Sequence, residues 1–214
     1  MIYATMCVGD RWNDTHQSSI NNFSKNKELH TLTDLPDRYE NSYFYKRDVF
    51  SYYEKINHIV NLLETHKQRV TYIDVDWLGS YDKLIKYDSS SLYTYWLIDT
   101  NTDRIKSLFN EDIDSLLDIS KLINIETIPK KYIPEALISI PYIDDNTTQK
   151  IKSDFLTIQN PLEKLYGRVP RRKEHSKWSK NGIGYGEGWA ISLIASKYNL
   201  PLRSVKVWGK KKIL

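Results

Sequence analysis

Asp74 and Asp76 stand one residue apart in "VTYIDVDWL", directly after a short apolar run. If that run is a strand that continues extended, its period of two puts both carboxylates on one side of the chain. Two hard oxygen donors so placed suit a divalent cation such as Mg²⁺ or Mn²⁺, which often completes its shell with substrate phosphates. The same two residues could also be solvated acids ending a strand. The apolar strand before them, and the helix before that strand, favour the metal reading.

Other chemistry-bearing stretches lie later. In "NGIGYGEGWAISLIASKYNLP" the glycines at 182, 184, 186 and 188 alternate ahead of a helical run, with Glu187 at its entry. Glycine allows close backbone approach, so this loop could wrap a substrate, and the helix dipole alone would favour an acid at that position. It is not a dinucleotide or P-loop fingerprint, because no strand precedes it and no Gly-Lys-Ser/Thr follows. His175, inside "RRKEHSKW", reads as an exposed loop histidine. Asp144 and Asp145 form a second acidic pair.

The elements that would position these residues can be read from periodicity. "MIYATMCVG" is a first strand, ending in the turn formers Gly9, Asp10 and Asn13. Residues 17–41 are polar and weakly periodic, and are expected to be irregular apart from a short strand near 29–32. From Arg47 onward Val49, Tyr53, Ile56, Val60 and Leu63 fall at helical spacing, with Phe50 and Ile59 widening the stripe, and the helix ends near His66. The strand "VTYID" follows at once. "SLYTYWLID" is expected as one strand, "EDIDSLLDISKLI" as a helix, and "EALISIPYI" as a strand. "TTQKIKSDFLTIQNPLEKLYG" reads as helical up to Pro161, and "GWAISLIASKYNLP" as a helix stopped before Pro201. Strands interleaved with helices predict an α/β fold, a Rossmann-type mixed sheet flanked by helices.

Composition bounds the function. A chain of 214 residues is the size of one compact domain, 1–214, with 40% hydrophobic and 27% charged residues. A formal charge of +4 is too small for a dedicated nucleic-acid coat, yet basic residues concentrate in "RVPRRKEHSKWSK" and in the tail "VKVWGKKKIL". Arg171, Arg172, Lys177 and Lys180 are therefore expected to face phosphate or another anionic surface. Cys7 is the single cysteine, which excludes an intrachain disulfide and favours a reducing compartment. No window approaches a membrane span and no secretory leader is legible, so a cytoplasmic protein without a transmembrane segment is expected.

The strand "IYATMCVG", the helix beginning near "YKRDVF" and then "VTYIDVDWL" together resemble the nucleotide-sugar-binding half of GT-A glycosyltransferases, over roughly the first half of the chain. The resemblance implies a GT-A-like catalytic domain with a donor-nucleotide half, 1–82, and an acceptor half, 83–214, carrying the basic tail. It implies Asp76 as principal metal ligand, with Asp74 touching the metal, the donor ribose or both. Thr5, Cys7 and Gly9 would lie under the nucleotide, Lys46 and Arg47 would be donor-side cations, and Mn²⁺ or Mg²⁺ would be the cofactor. "YGEGWAISLIA" resembles the segment that carries an acceptor-facing acid, which makes Glu187 the implied base, with Asp144 and Asp145 next in line. The partners implied are a nucleotide-sugar donor and an acceptor that is a glycan, a protein or DNA. The chain departs from the pattern in having no histidine after His175 to serve as a third metal ligand.

Two alternatives fit less of the chain. "YIDVDWL" has the strand D-x-D form of haloacid dehalogenase-like phosphatases, but it follows about seventy residues of other structure, and Leu78 stands where a Thr or Val is expected. A nucleic-acid-binding module would use the late basic clusters with Trp178, Trp189 and Trp208 as stacking surfaces.

Overall fold

A computed structural model describes residues 1–46, 53–80, 88–95, 97–99, 113–132, 137–166 and 187–205. Seven strands form one mixed sheet, in the order β3(Ser42–Phe44), β2(Leu29–Thr33), β1(Ile2–Cys7), β4(Val70–Ile73), β8(Leu137–Ile140), β5(Leu92–Thr94) and β9(Leu202–Ser204). The first four are parallel, β8 is antiparallel to both β4 and β5, and β9 is parallel to β5, so β8 alone opposes the rest. The sheet thus draws strands from both halves of the chain.

Burial explains the central strands. Every residue of β1, β2, β4 and β8 is buried, as expected of internal strands covered on both faces. Ile2, Ala4 and Met6 of β1, with Tyr72 and Ile138, face a core built with α2(Glu54–His66), α3(Ile113–Lys121), α4(Asp145–Tyr166) and α5(Glu187–Lys197). Tyr3 and Cys7, with Leu29 and Ile73, face the opposite core, where Ile20 of α1(Asp10–Ser24), Val75 and Leu78 pack. The helices therefore cover both faces of an α/β sheet.

The expected stripe on α2 is real: Ile56, Ile59, Val60, Leu62 and Leu63 are all buried, although its expected start at Arg47 lies outside the described residues. Lys67, left-handed at φ 51°, ends the helix by donating its N–H to the Leu63 carbonyl at 3.0 Å, and β4 begins three residues later.

Four expectations are corrected. Residues 10–24, expected as a turn and then irregular chain, form α1, which buries only Asn13 and Ile20 and so shows no broad apolar stripe. The chain leaves the extended conformation at Asp74 and turns into a 3₁₀ helix, Val75–Ser80, with the Trp77 N–H bonded to the Asp74 carbonyl at 2.8 Å. That turn puts Val75 and Leu78, three apart and hence on one side, into the core under α1. Asp74 and Asp76 are therefore not paired along one side of a strand. "SLYTYWLID" divides into β5 and β6(Ile98–Asp99), and β6 joins β7(Lys131–Tyr132) in a separate two-stranded sheet. Finally, α4 runs through Pro161 to Tyr166, because Ile158 and Leu162, fully buried on either side of the proline, dock the helix and override the missing N–H.

Candidate functional site at the carboxyl ends of β1 and β4

From β1 the chain goes outward through α1 to β2 and β3, then returns through α2 to β4 on the other side of β1. The connection reverses direction between β1 and β4. In open α/β sheets the crevice outside the carboxyl ends of strands at such a reversal is where ligands bind. Cys7, Val8 and Gly9 end β1 there, and Asp74 ends β4.

A polar network fixes the β1–α1 turn. Asn13 donates from Nδ2 to the Gly9 carbonyl and to Asp34 Oδ1, both at 3.0 Å, and its Oδ1 accepts from Tyr39 at 2.7 Å and Thr33 at 3.1 Å. Its amide thus has both donors and both lone pairs filled. Asp34 also accepts the Gly9 N–H at 3.0 Å. Gly9 sits at φ 98°, a left-handed backbone natural to glycine, and among the described residues a Cβ built there meets nothing within 4 Å. No described residue therefore crowds the backbone at the end of β1. Sequence reasoning read Asn13 only as a turn former and missed Asp34; the acid closing "LHTLTD" is the signal that could have found it.

Thr5 and Cys7 are enclosed beneath this turn. Thr5 Oγ1 donates to the Ile73 carbonyl at 2.8 Å, tying β1 to β4, and Cys7 lies in the core with its Sγ 3.8 Å from the Tyr39 hydroxyl. Burial pushes the Cys7 thiol up to about 11. Folded protein is expected to resist a thiol-specific reagent at pH 8 and to react once unfolded in urea, because the thiolate is both scarce and inaccessible. Equal labelling rates in the two states would contradict that enclosure. Lys46 is exposed just after β3, at the same edge of the sheet, and Arg47 lies outside the described residues.

Beyond β4 lies a charge cluster. Lys55, on the first turn of α2, is 2% exposed, and its Nζ is 2.7 Å from Glu187 Oε1 and 3.8 Å from Asp74 Oδ1. Glu187, the first residue of α5, is 0% exposed, and its Oε2 has no hydrogen-bond partner among the described residues. The shorter distance makes Glu187 the closer charge partner of the ammonium, and Asp74 a Coulombic one beyond hydrogen-bond reach. Asp74 is half-buried and accepts the Tyr72 hydroxyl; burial, then the Asp74 charge, push Tyr72 far up, so it stays a donor. Asp76 is exposed on its 3₁₀ turn. The structure thus brings Asp74 and Glu187, 113 positions apart, onto one ammonium that sequence reasoning passed over. Asp74 and Asp76 stand at the carboxyl end of β4 and carry oxygen donors of the type Mg²⁺ and Mn²⁺ take, so the donor chemistry suits such an ion, although with Glu187 they do not form a close three-carboxylate group among the described residues.

The remaining candidates sit elsewhere. Asp144 caps α4, accepting the Thr147 N–H at 2.7 Å and hydroxyl at 2.8 Å, and Asp145 pairs with Lys67 at 2.7 Å on the surface. Trp189 is 2% exposed in the core and so is not the stacking surface that the nucleic-acid alternative would use; Trp178, Trp208, His175, the alternating glycines up to Gly186 and the basic clusters lie outside the described residues. A cavity of about 480 Å³ lined by Lys67, Arg69, Ser89 and Tyr142 opens at the opposite edge of the sheet, near the amino end of β4. Among the described residues no helix is long and apolar enough to cross a membrane.

No protein-family model matches the chain, and no curated protein matches it. Among solved structures, the apo form of mouse xyloside xylosyltransferase 1 is similar at a TM-score of 0.37 and 7% identity, over 95% of this chain and 84% of that one.

Proposed function

We propose that this chain is a single-domain, metal-dependent glycosyltransferase that takes a sugar from a nucleotide-diphosphate donor. The observation that carries the proposal is the convergence of Asp74 and Glu187 on Lys55 at the carboxyl end of β4, beside the Gly9 backbone that no described residue crowds. The sequence pattern singled out both acids for donor and acceptor roles, and their meeting on one ammonium near the carboxyl end of β4, the kind of position where α/β sheets bind ligands, supports the reading.

In this proposal the nucleotide lies over the end of β1. Gly9 admits it close to the backbone, while Thr5 and Cys7 form the floor from beneath without presenting side chains to it. Asp76 and Asp74 hold Mn²⁺ or Mg²⁺, and Lys46 and Arg47 supply cationic charge on the donor side. The ion, when bound, neutralises the leaving diphosphate. Glu187 is assigned a positioning role in place of the expected acceptor base. A base must come within about 2.6–3.2 Å of the acceptor hydroxyl, whereas this carboxylate is enclosed against Lys55. It holds the ammonium where it orients Asp74.

The test is a thermal-shift panel of nucleotide sugars on the full chain, with and without Mn²⁺. One donor is expected to raise the melting temperature only when Mn²⁺ is present, since a ligand at a hundred times its Kd adds about 2.7 kcal/mol of stability. The same donor should then release its nucleoside diphosphate on turnover. A flat panel under saturating donor and Mn²⁺ would end the proposal.

A further inference from the structure

At the other end of the sheet, three metal-ligating side chains meet. Glu28 immediately precedes β2, His30 is its second residue, and His66 is the last residue of α2. Each offers one ligand atom, and these atoms all lie within 4.8 Å of one another. Glu28 Oε1 is 3.2 Å from His30 Nε2 and 3.9 Å from His66 Nδ1, and the two imidazole rings stand 4.7 Å apart at 60°.

These spacings have a chemical meaning. Ligand atoms about 2.0–2.1 Å from a tetrahedral zinc ion stand about 3.3 Å from each other. The Glu28–His30 distance already matches, and the Glu28–His66 distance needs an adjustment of less than about 1 Å. Glu28 is half exposed and His66 lies on the last turn of its helix, so either can supply it.

The surroundings suit an ion as well. His30 is 5% exposed and turns its Nε2 toward Glu28, with which it shares a hydrogen bond at 3.2 Å, and His66 turns its Nδ1 toward the same carboxylate oxygen. Behind His30, His58 Nε2 donates to the His30 carbonyl at 3.2 Å, and the Tyr43 ring packs on both His30 and His58. His30 is thereby fixed in place.

We propose that Glu28, His30 and His66 bind a borderline first-row ion, Zn²⁺ foremost, which clips the start of β2 to the end of α2. Two imidazoles and one carboxylate favour Zn²⁺ over the hard ions Mg²⁺ and Mn²⁺. The three protein ligands leave a fourth position, which water fills at the half-exposed Glu28 side. The site is separate from the crevice at Asp74. It lies at the amino end of β2, and β2 and β4 both run parallel to β1, so the two are divided by the strand length, about 16 Å for five residues. The inference does not depend on the glycosyltransferase proposal.

The experiment is calorimetric titration of Zn²⁺ into chelator-treated full-length protein, with Co²⁺ as a spectroscopic probe. Wild type is expected to bind one Zn²⁺ at this site and to give the intense visible bands of tetrahedral Co²⁺. His66→Ala and Glu28→Gln, both at partly exposed positions, should remain folded by circular dichroism, weaken Zn²⁺ at least tenfold and lose the Co²⁺ bands. Asp76→Asn should leave Zn²⁺ binding unchanged. No stoichiometric Zn²⁺ in wild type, undiminished affinity in both histidine and glutamate variants, or loss of the ion in Asp76→Asn would each overturn the assignment.

Discussion

Lys55→Met is expected to destabilise the fold by about 3–5 kcal/mol, the loss typical of removing one partner from a buried ion pair. Glu187 is fully enclosed, and without the ammonium 2.7 Å away its charge has no compensation among the described residues. Asp74 and Tyr72 lose a favourable neighbour at the same time. Glu187→Gln should cost less, because the ammonium it abandons keeps Asp74 at 3.8 Å. The double variant Lys55→Met/Glu187→Gln removes both charges and should recover most of the stability lost in Lys55→Met. Urea unfolding of the four proteins forms a double-mutant cycle whose coupling is expected to be positive and above about 1 kcal/mol, as for residues in direct contact. Additive losses would mean that the pair does not act as a unit, and would leave Glu187 without its proposed role.

What the sequence disclosed follows from where its signals were local. The α2 stripe was legible because burial on one face imposes a period, which Ile56, Ile59 and Leu63 carry without interruption, and β4 was legible as a short apolar run because both its faces are buried. The crevice acids were legible by type and by neighbourhood, as a D-x-D after a strand and an acid at a helix entry. Lys55 was not, because a lysine on the first turn of a helix ordinarily faces water, and the partners that bury it come from residues 74 and 187. The helix α1 was hidden for a related reason. It is held by Asn13, whose four hydrogen bonds reach Gly9, Thr33, Asp34 and Tyr39, and a polar anchor leaves no hydrophobic period to read. The geometry after Asp74 was misread because a two-residue period presumes an extended chain, whereas Val75 and Leu78 are drawn together into the core. The Glu28–His30–His66 cluster joins a Glu-x-His pair to a residue 36 positions further on, and so short a pair is no metal motif by itself.

Asp76→Asn carries the second large effect. The side chain is exposed on a 3₁₀ turn, so replacing its carboxylate by an isosteric amide should leave the protein folded. Its effect on donor binding should be far larger. Hard divalent ions are held chiefly by carboxylate charge, and one neutral carbonyl is a poor substitute. Mn²⁺-dependent affinity for the nucleotide sugar is therefore expected to fall by about a hundredfold or more, equivalent to about 2.7 kcal/mol. Asp74→Asn should differ in kind. Its carboxylate is already engaged by Lys55 and Tyr72, so it should lose both stability and donor affinity, the second less steeply than Asp76→Asn if its main contact is the ribose. Measuring the donor Kd at several Mn²⁺ concentrations, beside urea unfolding of each variant, separates the two. A folded Asp76→Asn protein whose donor affinity and Mn²⁺ dependence match wild type would remove the metal from the mechanism, and with it the D-x-D argument on which the donor site rests.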